Sequence, residues 1–123
     1  MKLRIYYEDT DISGFVYHTN YLKYCERARS EIFFKSGIPP IIDDFHFVVK
    51  DISLKYVSPA LFGDEVEVKT KVIKLSSASV NLEQSIYKDE QLLFTANIKL
   101  AHLKGDRPYK VDSRFRAVFE KLC

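Results

Sequence analysis

The sequence lacks the features that mark a disulfide-rich, secreted or membrane protein. Only two of the 123 residues are cysteines, Cys25 and Cys123, and they lie far apart. A disulfide framework is therefore not expected, and a reducing compartment fits this cysteine usage better. The N-terminal segment has no apolar core of a signal peptide, and no apolar run approaches the roughly 18 residues that a membrane-spanning helix needs. We therefore expect a cytoplasmic protein without a transmembrane segment.

Strong charge of either sign is also missing. The formal net charge is +2, with no long basic run and no zinc-finger spacing, so neither a nucleic-acid-binding surface nor a metal site is expected. Hydrophobic residues make up 46% and charged residues 29% of the chain, which is typical of a soluble globular protein. The length fits a single domain, residues 1–123, with little room for both a core and a large buried site. A site shared between subunits would relieve that restriction.

A long helix is the clearest element in the first third of the chain. A short strand is predicted at 2–8, and residues 18–36 then have helical periodicity. One face of this helix carries four side chains spaced four, three and four residues apart: Tyr21, Cys25, Ala28 and Ile32. Thr19 or Asn20 is a suitable N-cap, and Gly37 followed by two prolines predicts the end of the helix.

The second half of the sequence alternates between apolar and polar residues. In the first alternating run we predict that five residues share one face: Val48, Lys50, Ile52, Leu54 and Tyr56. Runs at 65–72, 80–87 and 92–100 predict three more strands, the last two joined by a tight turn at 89–90. Such alternation indicates an antiparallel sheet with one buried face, and residues 111–122 predict a short terminal helix. We therefore predict an α+β fold in which the sheet lies across the long helix.

The polar segment before the long helix concentrates reactive side chains, which are those of Tyr7, Glu8, Asp9, Thr10, Asp11, Ser13 and His18. The first N–H groups of a helix lack helical acceptors and carry partial positive charge, so they can stabilise an oxyanion developing on a carbonyl. Gly14 gives the chain the freedom to bring a carboxylate back towards those donors. A carboxylate beside such an amide is a workable hydrolytic pair.

Spacing alone leaves three interpretations of this segment. Asp9 and Asp11 cap and turn the chain in the first, and one of them is a hydrolytic carboxylate in the second. The third is a calcium loop of the EF-hand type, since Asp9, Asp11 and Ser13 match its first ligand positions. Position 12 of that loop falls on Asn20 instead of a glutamate, and a strand is predicted before the loop where an EF-hand has a helix. These two departures weaken the calcium interpretation.

The same segment resembles the signature of the hotdog-fold thioesterases, in particular the 4-hydroxybenzoyl-CoA thioesterase family and its YbgC-like branch. The run that carries the resemblance is YYEDTDISGFVYHTNYLKYCERARSE. Its matching residues are Tyr7, Asp9, Asp11, Gly14, Val16, Asn20, Tyr21, Glu26, Arg27, Ala28 and Arg29. The strand order, the segment PALFGDEV and the closing Gly105-x-Arg107-Pro108 extend the resemblance over nearly the whole chain.

The resemblance implies a hotdog fold, in which an antiparallel sheet wraps around one long central helix. It implies an enzyme that hydrolyses acyl-CoA thioesters, with coenzyme A as part of the substrate and no further cofactor. Two subunits would join their sheets edge to edge as a homodimer with each active site between them, and such dimers would assemble further into a homotetramer. The alternative is a non-catalytic module on the same fold that binds acyl-CoA or an acyl carrier protein.

The resemblance also assigns roles to individual residues. Asp11 takes the place of the catalytic carboxylate, and His18 occupies the helix start where a backbone N–H polarises the thioester carbonyl. Tyr7 belongs to the same pocket in the YbgC-like branch, and Asp9 is expected to fix the loop. The candidates for binding the phosphate-rich end of coenzyme A are Lys74, Ser77, Ser79 and, less specifically, Lys55 and Arg107. A solvated hairpin rim is the alternative for residues 74–79.

Other nucleophiles fit the sequence less well. A serine hydrolase would need a Gly-x-Ser-x-Gly elbow, which the sequence does not contain. Cys25 lies on the apolar face of the helix and is predicted to be a buried structural residue. His102 lies on the apolar face of a strand and is expected to be a hydrogen-bonded core or pocket histidine.

Overall fold

The computed structural model describes residues 1–123. In chain order the elements are β1 (Lys2–Arg4), α1 (Asn20–Ser36), β2 (Phe45–Tyr56), β3 (Glu65–Leu75), β4 (Ser79–Lys88), β5 (Gln91–Lys104), β6 (Arg107–Pro108) and α2 (Ser113–Glu120). A short turn of 3-10 helix at Tyr7–Asp9 lies between β1 and α1. Neither α-helix has the length and apolar character that crossing a membrane would require.

All six strands belong to one antiparallel sheet. Their spatial order is β1-β3-β4-β5-β2, and β6 pairs with the end of β5. The strands β3, β4 and β5 are consecutive hairpins, as the alternating runs predict, and the tight turn between β4 and β5 contains Asp89 with φ +52°. Because β2 pairs only with β5, it forms one edge of the sheet.

The core lies between helix α1 and the inner face of the sheet. The buried residues of α1 are Tyr21, Tyr24, Cys25, Ala28 and Phe33. Those of the three central strands include Val66, Val68, Val72, Val80, Leu82, Ile86, Phe94, Ala96, Ile98 and Leu100. The predicted apolar face of the helix is thus buried, although Ile32 is only partly so. A sheet curled around one long helix is the predicted hotdog architecture.

The predicted N-cap is confirmed at Thr19, and α1 begins at Asn20, two residues after the helical periodicity starts at residue 18. The N–H of Tyr17 donates to the carbonyl of Asp9 at 2.9 Å, which ties the preceding residues to the loop instead of to a helical turn. Thr19 is the N-cap and its side chain makes no capping hydrogen bond, so Asn20 is the first helical residue. At the other end Gly37 has φ +72°, the left-handed conformation that ends helices and that glycine adopts without strain.

Strand β1 and helix α2 are also shorter than predicted, and in both cases the carboxylate of an aspartate accepts a backbone hydrogen bond at the boundary. Strand β1 ends at Arg4 because the Asp9 carboxylate accepts from the N–H of Tyr6 at 2.8 Å and turns the chain. Helix α2 is delimited by the Asp112 carboxylate, which caps it by accepting from the N–H of Arg114 at 2.9 Å.

A β-bulge in β2 changes which of its residues share a face. The register against β5 shifts between Val49 and Asp51, so Lys50 is an extra residue in the strand. The inner face of β2 therefore carries Val49, Ile52, Leu54 and Tyr56. The prediction that Val48 and Lys50 share this face is wrong, because strict alternation does not hold across an inserted residue.

A buried polar network fixes α1 against the sheet. The side chain of Gln84 on β4 is fully buried, and its amide nitrogen donates to the carbonyl of Cys25 and to the hydroxyl of Thr70, both at 3.0 Å. Its carbonyl oxygen accepts from the guanidinium of Arg29 at 2.8 Å. Burial lowers the pKa of Arg29. Every polar atom of the Gln84 side chain is thus paired, which is the condition for a stabilising buried network.

Two side chains that the sequence assigns to the core are confirmed there. Cys25 is fully buried, and burial raises the pKa of its thiol to about 11. His102 is also fully buried, with Nδ1 2.9 Å from the carbonyl oxygen of Tyr109 and Nε2 accepting from the N–H of Asp112 at 3.4 Å. Both groups are structural components of the core and lie away from the loop that carries Asp11.

Candidate active site

The loop that presents Asp11 is closed by its own backbone. The N–H of Asp11 donates to the carbonyl of Phe15 at 2.9 Å, and the N–H of Gly14 donates to the carbonyl of Asp11 at 3.0 Å. Gly14 has φ +82°, a conformation that most other residues adopt only with strain. The loop therefore forms a tight turn that holds residue 11 in place immediately before the helix.

The Asp11 carboxylate is exposed and ionised at neutral pH. Its Oδ1 accepts from the backbone N–H of Ser13 at 2.9 Å and from the Ser13 hydroxyl. These two hydrogen bonds stabilise the charged form, and the hydroxyl contributes most to lowering the pKa of Asp11. The other oxygen, Oδ2, makes no hydrogen bond within the chain and is free to meet a water molecule or a substrate.

The backbone at the start of α1 offers an unused donor. The N–H of His18 donates no hydrogen bond within the chain, whereas its carbonyl oxygen accepts from the Tyr56 hydroxyl at 2.8 Å. His18 immediately precedes the N-cap, Thr19, at the positive end of the helix dipole. An anionic oxygen near this position would meet both a free amide and a favourable field.

Asp11 and His18 line the same cavity, whose volume is about 380 Å³. The remaining lining residues are Phe15, Val16, Tyr21, Tyr56, Val57, Ser58 and Pro59. The Tyr21 ring stacks on Phe94 with centroids 5.2 Å apart, and Tyr56 contacts both rings at 5.5–5.6 Å. The cavity thus combines a carboxylate, an unpaired amide and an aromatic wall.

Asp9 has a different environment from Asp11. Its Oδ2 accepts from the N–H of Tyr6, and its backbone carbonyl accepts from the N–H of Tyr17 and from the side-chain amide of Asn20, both at 2.9 Å. Asp9 therefore ties the turn at Tyr7–Asp9 to the first residue of α1, as expected of a residue that fixes the loop.

Tyr7 does not line this cavity in the single chain. Its side chain is 78% exposed, and its ring packs edge to face on Phe62 with centroids 6.0 Å apart. The Phe62 loop is in turn held to the Asp11 turn, since the N–H of Phe62 donates to the carbonyl of Gly14 at 3.3 Å. Tyr7 thus lies on the outer side of the loop that presents Asp11.

The candidates for binding coenzyme A lie far from this cavity within one chain. Ser79 pairs with Ala101 on β5, whereas the cavity residue Tyr56 pairs with Phe94. Seven residues of strand at about 3.3 Å each separate these two positions by about 23 Å. Lys74, Ser77 and Ser79 thus belong to the opposite end of the sheet, and Lys55 points to its outer face.

A second cavity, of about 480 Å³, lies between α1 and the first half of β2. Its lining includes the apolar residues Phe33, Ile41, Phe47, Val49 and Leu100 and the charged residues Glu26 and Arg29. This cavity opens beside the unpaired edge of the sheet, at the other end of β2 from Tyr56.

Sequence reasoning missed the contribution of β2 to the Asp11 cavity. Tyr56 was assigned only to a strand face, because its hydroxyl contact with residue 18 spans 38 positions of sequence. No pattern indicates Ser58, and Tyr21 is predicted on the apolar face of the helix and not as a site residue. The only available signal was the Asn-Tyr pair of the family signature, which places Tyr21 on the first turn of the helix.

Comparison with known proteins identifies the family. Residues 13–95 match the model of the Thioesterase superfamily. A curated relative from Helicobacter pylori, named acyl-CoA thioesterase YbgC, is 43% identical over 111 residues, which cover 90% of this chain and 77% of that protein. The chain therefore belongs to the thioesterase superfamily and is an enzyme of the thioester hydrolase class.

Solved structures agree with this assignment. A probable thioesterase from Bartonella henselae is 30% identical, with a TM-score of 0.85 over 91% of this chain and 97% of that one. A hypothetical protein from Thermus thermophilus is 25% identical, with a TM-score of 0.91 over 100% of this chain and 98% of that one. The fold described above is thus shared along nearly the whole chain.

Proposed function

We propose that the chain hydrolyses acyl-CoA thioesters, with Asp11 as the reactive carboxylate and the backbone N–H of His18 as the oxyanion donor. The observation that carries the proposal is that the two residues line one cavity while the His18 amide has no acceptor within the chain. The names of relatives such as the Helicobacter pylori protein support acyl-CoA as the substrate class.

The reaction requires attack at the thioester carbonyl carbon, stabilisation of the oxyanion and departure of the thiolate. In one route Asp11 takes a proton from a water molecule while the water oxygen attacks. In the other, Asp11 attacks directly, the thiolate leaves, and water hydrolyses the resulting mixed anhydride. The leaving thiol has a pKa of about 8.5, so its departure depends less on protonation by an acid than the departure of an amine does.

We propose subsidiary roles for the other candidate residues. The His18 side chain lines the cavity beside Tyr17, with ring centroids 4.4 Å apart, and can orient Asp11 or pass a proton to the leaving group. For Tyr7 we propose a contact with bound substrate, in a part of the site that lies outside the cavity of the single chain.

The edge strand β2 supports a homodimer as the functional unit. Its twelve residues are paired on one side only, and its inner face leaves Val49 46% and Tyr56 46% exposed in the single chain. A long unpaired edge strand with an apolar inner face is a template for pairing with another strand. We infer that two copies pair β2 with β2 in antiparallel fashion around a two-fold axis near the middle of the strand. Further assembly of such dimers into a tetramer follows the family resemblance.

This pairing would bring distant parts of two chains together. An antiparallel partner strand would place the start of one β2 beside Tyr56 of the other, so the cavity that contains Arg29 in one subunit would adjoin the Asp11 cavity of its partner. The hairpin at 74–79 would then lie about three strands, or about 14 Å, from Tyr56 of the partner subunit. Within one chain, the same hairpin lies about 23 Å from Tyr56 along the sheet. This arrangement supports Lys74, Ser77 and Ser79 as contacts for coenzyme A bound in the neighbouring subunit.

The substitution Asp11→Asn tests the catalytic assignment. Asparagine keeps an oxygen that can accept from Ser13, so the turn should survive, while the nucleophile or base is lost. We expect turnover to fall by about 10²–10⁴-fold, measured as thiol release from an acyl-CoA panel of short to long chains. Glu120→Gln is the control, because Glu120 is an exposed carboxylate on α2 that lines neither this cavity nor the edge strand β2.

The outcomes separate the alternatives. Wild-type turnover in Asp11→Asn would refute the assignment of the carboxylate. A wild-type protein that binds acyl-CoA or an acyl carrier protein but releases no thiol would instead support the non-catalytic module. Single turnover in ¹⁸O-labelled water distinguishes the two routes, since label appears in the Asp11 side chain only if an anhydride forms.

The assembly is tested separately by Ile52→Lys, which places a charge in the middle of the proposed interface. We expect a monomer by light scattering and a loss of activity. Ser53→Lys is the matched control, because it places the same charge on the same strand but on the outer face. A dimeric and active Ile52→Lys variant would contradict the proposed pairing.

A further inference from the structure

The hydroxyl of Tyr56 connects the edge strand to the start of helix α1. Tyr56 is the last residue of β2, and its Oη donates to the carbonyl oxygen of His18 at 2.8 Å. The Tyr56 ring packs against Tyr21 and Phe94, with centroids 5.6 and 5.5 Å away, and these contacts limit the positions open to its hydroxyl. The family resemblance gives no role to this residue, and its contact spans 38 positions of sequence.

The acceptor of this bond belongs to the residue whose N–H is the proposed oxyanion donor. Because a peptide group is planar, the orientation of the His18 carbonyl fixes the ψ angle of His18. Holding that angle restricts the backbone conformation of the residue that carries the proposed N–H donor. A carbonyl oxygen that turned towards the cavity would bring a negative partial charge close to the developing oxyanion. The Tyr56 hydroxyl gives this carbonyl a partner and so opposes that rotation.

We propose that Tyr56 is a positioning residue for thioester hydrolysis, which holds the His18 carbonyl through its hydroxyl and thereby keeps the His18 amide oriented for the oxyanion. The inference rests on the proposed function and deepens it. Tyr56 acts through the backbone of residue 18 and not by contributing a proton or a nucleophile. Because Tyr56 belongs to β2, a displacement of the edge strand reaches the site through this hydrogen bond.

The substitution Tyr56→Phe tests the proposal, because it keeps the aromatic ring and removes only the hydroxyl. An oriented backbone donor acts mainly in the transition state, so kcat should fall while KM stays within twofold of wild type. The net contribution of one hydrogen bond corresponds to a factor of roughly 2–12 in an equilibrium or rate constant. We therefore expect kcat to fall by about 3–10-fold. Tyr17→Phe is the matched control: its ring lies beside the His18 ring, but its hydroxyl makes no hydrogen bond within the chain. It should retain the wild-type kcat.

A double-mutant cycle distinguishes positioning from a general effect on structure. His18→Pro removes the amide that Tyr56 is proposed to orient, so adding Tyr56→Phe to that variant should cost less than twofold in kcat. If the two losses multiply, Tyr56 acts elsewhere and the proposal is overturned. A change confined to KM would identify Tyr56 as a substrate contact instead, and an unchanged kcat in Tyr56→Phe would also overturn the proposal.

These outcomes are separable from a failure of the proposed function. If Tyr56→Phe has no effect while the wild type is active and Asp11→Asn is not, only the role of Tyr56 is refuted. If Asp11→Asn keeps wild-type turnover, the proposed site itself is refuted and the role of Tyr56 fails with it. Thermal melting of each variant identifies a loss of activity that is due to unfolding.

Discussion

Replacing His18 with proline tests the backbone donor directly. Proline has no N–H, and the amide of His18 donates no hydrogen bond within the chain, so the substitution removes the proposed donor without breaking a hydrogen bond of the fold. The N–H of Asn20 donates to the carbonyl of Tyr17 at 2.9 Å, so residue 18 is the second position of a turn, where proline is favoured. His18→Ala is the matched control, because it removes the same imidazole and keeps the N–H.

The difference between these two variants isolates one hydrogen-bond donor. Loss of a single oxyanion donor typically lowers kcat by about 10²–10³-fold, which corresponds to about 3–4 kcal/mol of transition-state stabilisation. We therefore expect kcat of His18→Pro to lie about 10²–10³-fold below that of His18→Ala. KM should differ little between them, because the ground-state carbonyl carries less charge than the transition state.

The assay is thiol release from a saturating acyl-CoA, monitored with a disulfide reagent, together with a thermal melt of each variant. The melts matter because a proline that disturbs α1 would lower kcat for a structural reason. Equal kcat values in His18→Pro and His18→Ala, with both proteins folded, would refute the amide of His18 as the oxyanion donor. In that case the imidazole would account for any common loss.

Three further predictions follow from the hydrogen bonds and burial described above. Ser13→Ala removes the hydroxyl that lowers the pKa of Asp11 most, and because activity requires the carboxylate and is lost as pH falls through that pKa, the acid limb of the kcat/KM profile should move to higher pH. Gln84→Leu leaves Arg29 and two neighbouring polar groups without a buried partner, so the free energy of unfolding should fall by about 2–4 kcal/mol in denaturant titration. A thiol reagent should modify one cysteine per native chain, since Cys25 is fully buried and has a raised pKa while the C-terminal cysteine is exposed.

Each of these predictions has an outcome that contradicts it. An acid limb that stays in place, or moves to lower pH, in Ser13→Ala would show that Asp11 does not govern it. An unchanged denaturation midpoint in Gln84→Leu would mean that the network does not stabilise the fold. Glu83→Gln is a suitable neutral control, because the neighbouring Glu83 side chain is exposed on the other face of β4. Modification of two cysteines in native protein would show that Cys25 becomes accessible.

The elements of this fold were predictable from sequence where one physical signal dominated. The alternation of β3, β4 and β5 follows from one buried and one exposed face, and Gly37 ends α1 because it adopts the left-handed conformation. A boundary was wrong where a side-chain hydrogen bond overrode the local pattern. The end of β1 is an example, since the Asp9 carboxylate accepts from the N–H of Tyr6 and turns the chain before the predicted end at residue 8.

The candidate site shows the same division. Asp11 and His18 lie within one local segment, so a motif brings them to attention together, and they line one cavity. Tyr56 lines the same cavity from strand β2, 38 residues after His18, and a local sequence pattern cannot indicate a contact of that separation. The β-bulge at Lys50 determines which residues of β2 face inward, and an insertion of this kind is invisible to a count of alternating residues.

The position of β2 in the chain has a consequence for synthesis of the protein. Its only partner strand within the chain, β5, begins at Gln91, which is 35 residues after the end of β2 at Tyr56. At about 5–20 residues per second a ribosome needs about 2–7 s to add that stretch. During this interval a nascent chain carries a twelve-residue strand that has no internal partner and whose inner face is apolar. We therefore expect the nascent chain to be most prone to aggregation in the period before β5 is available to pair with β2.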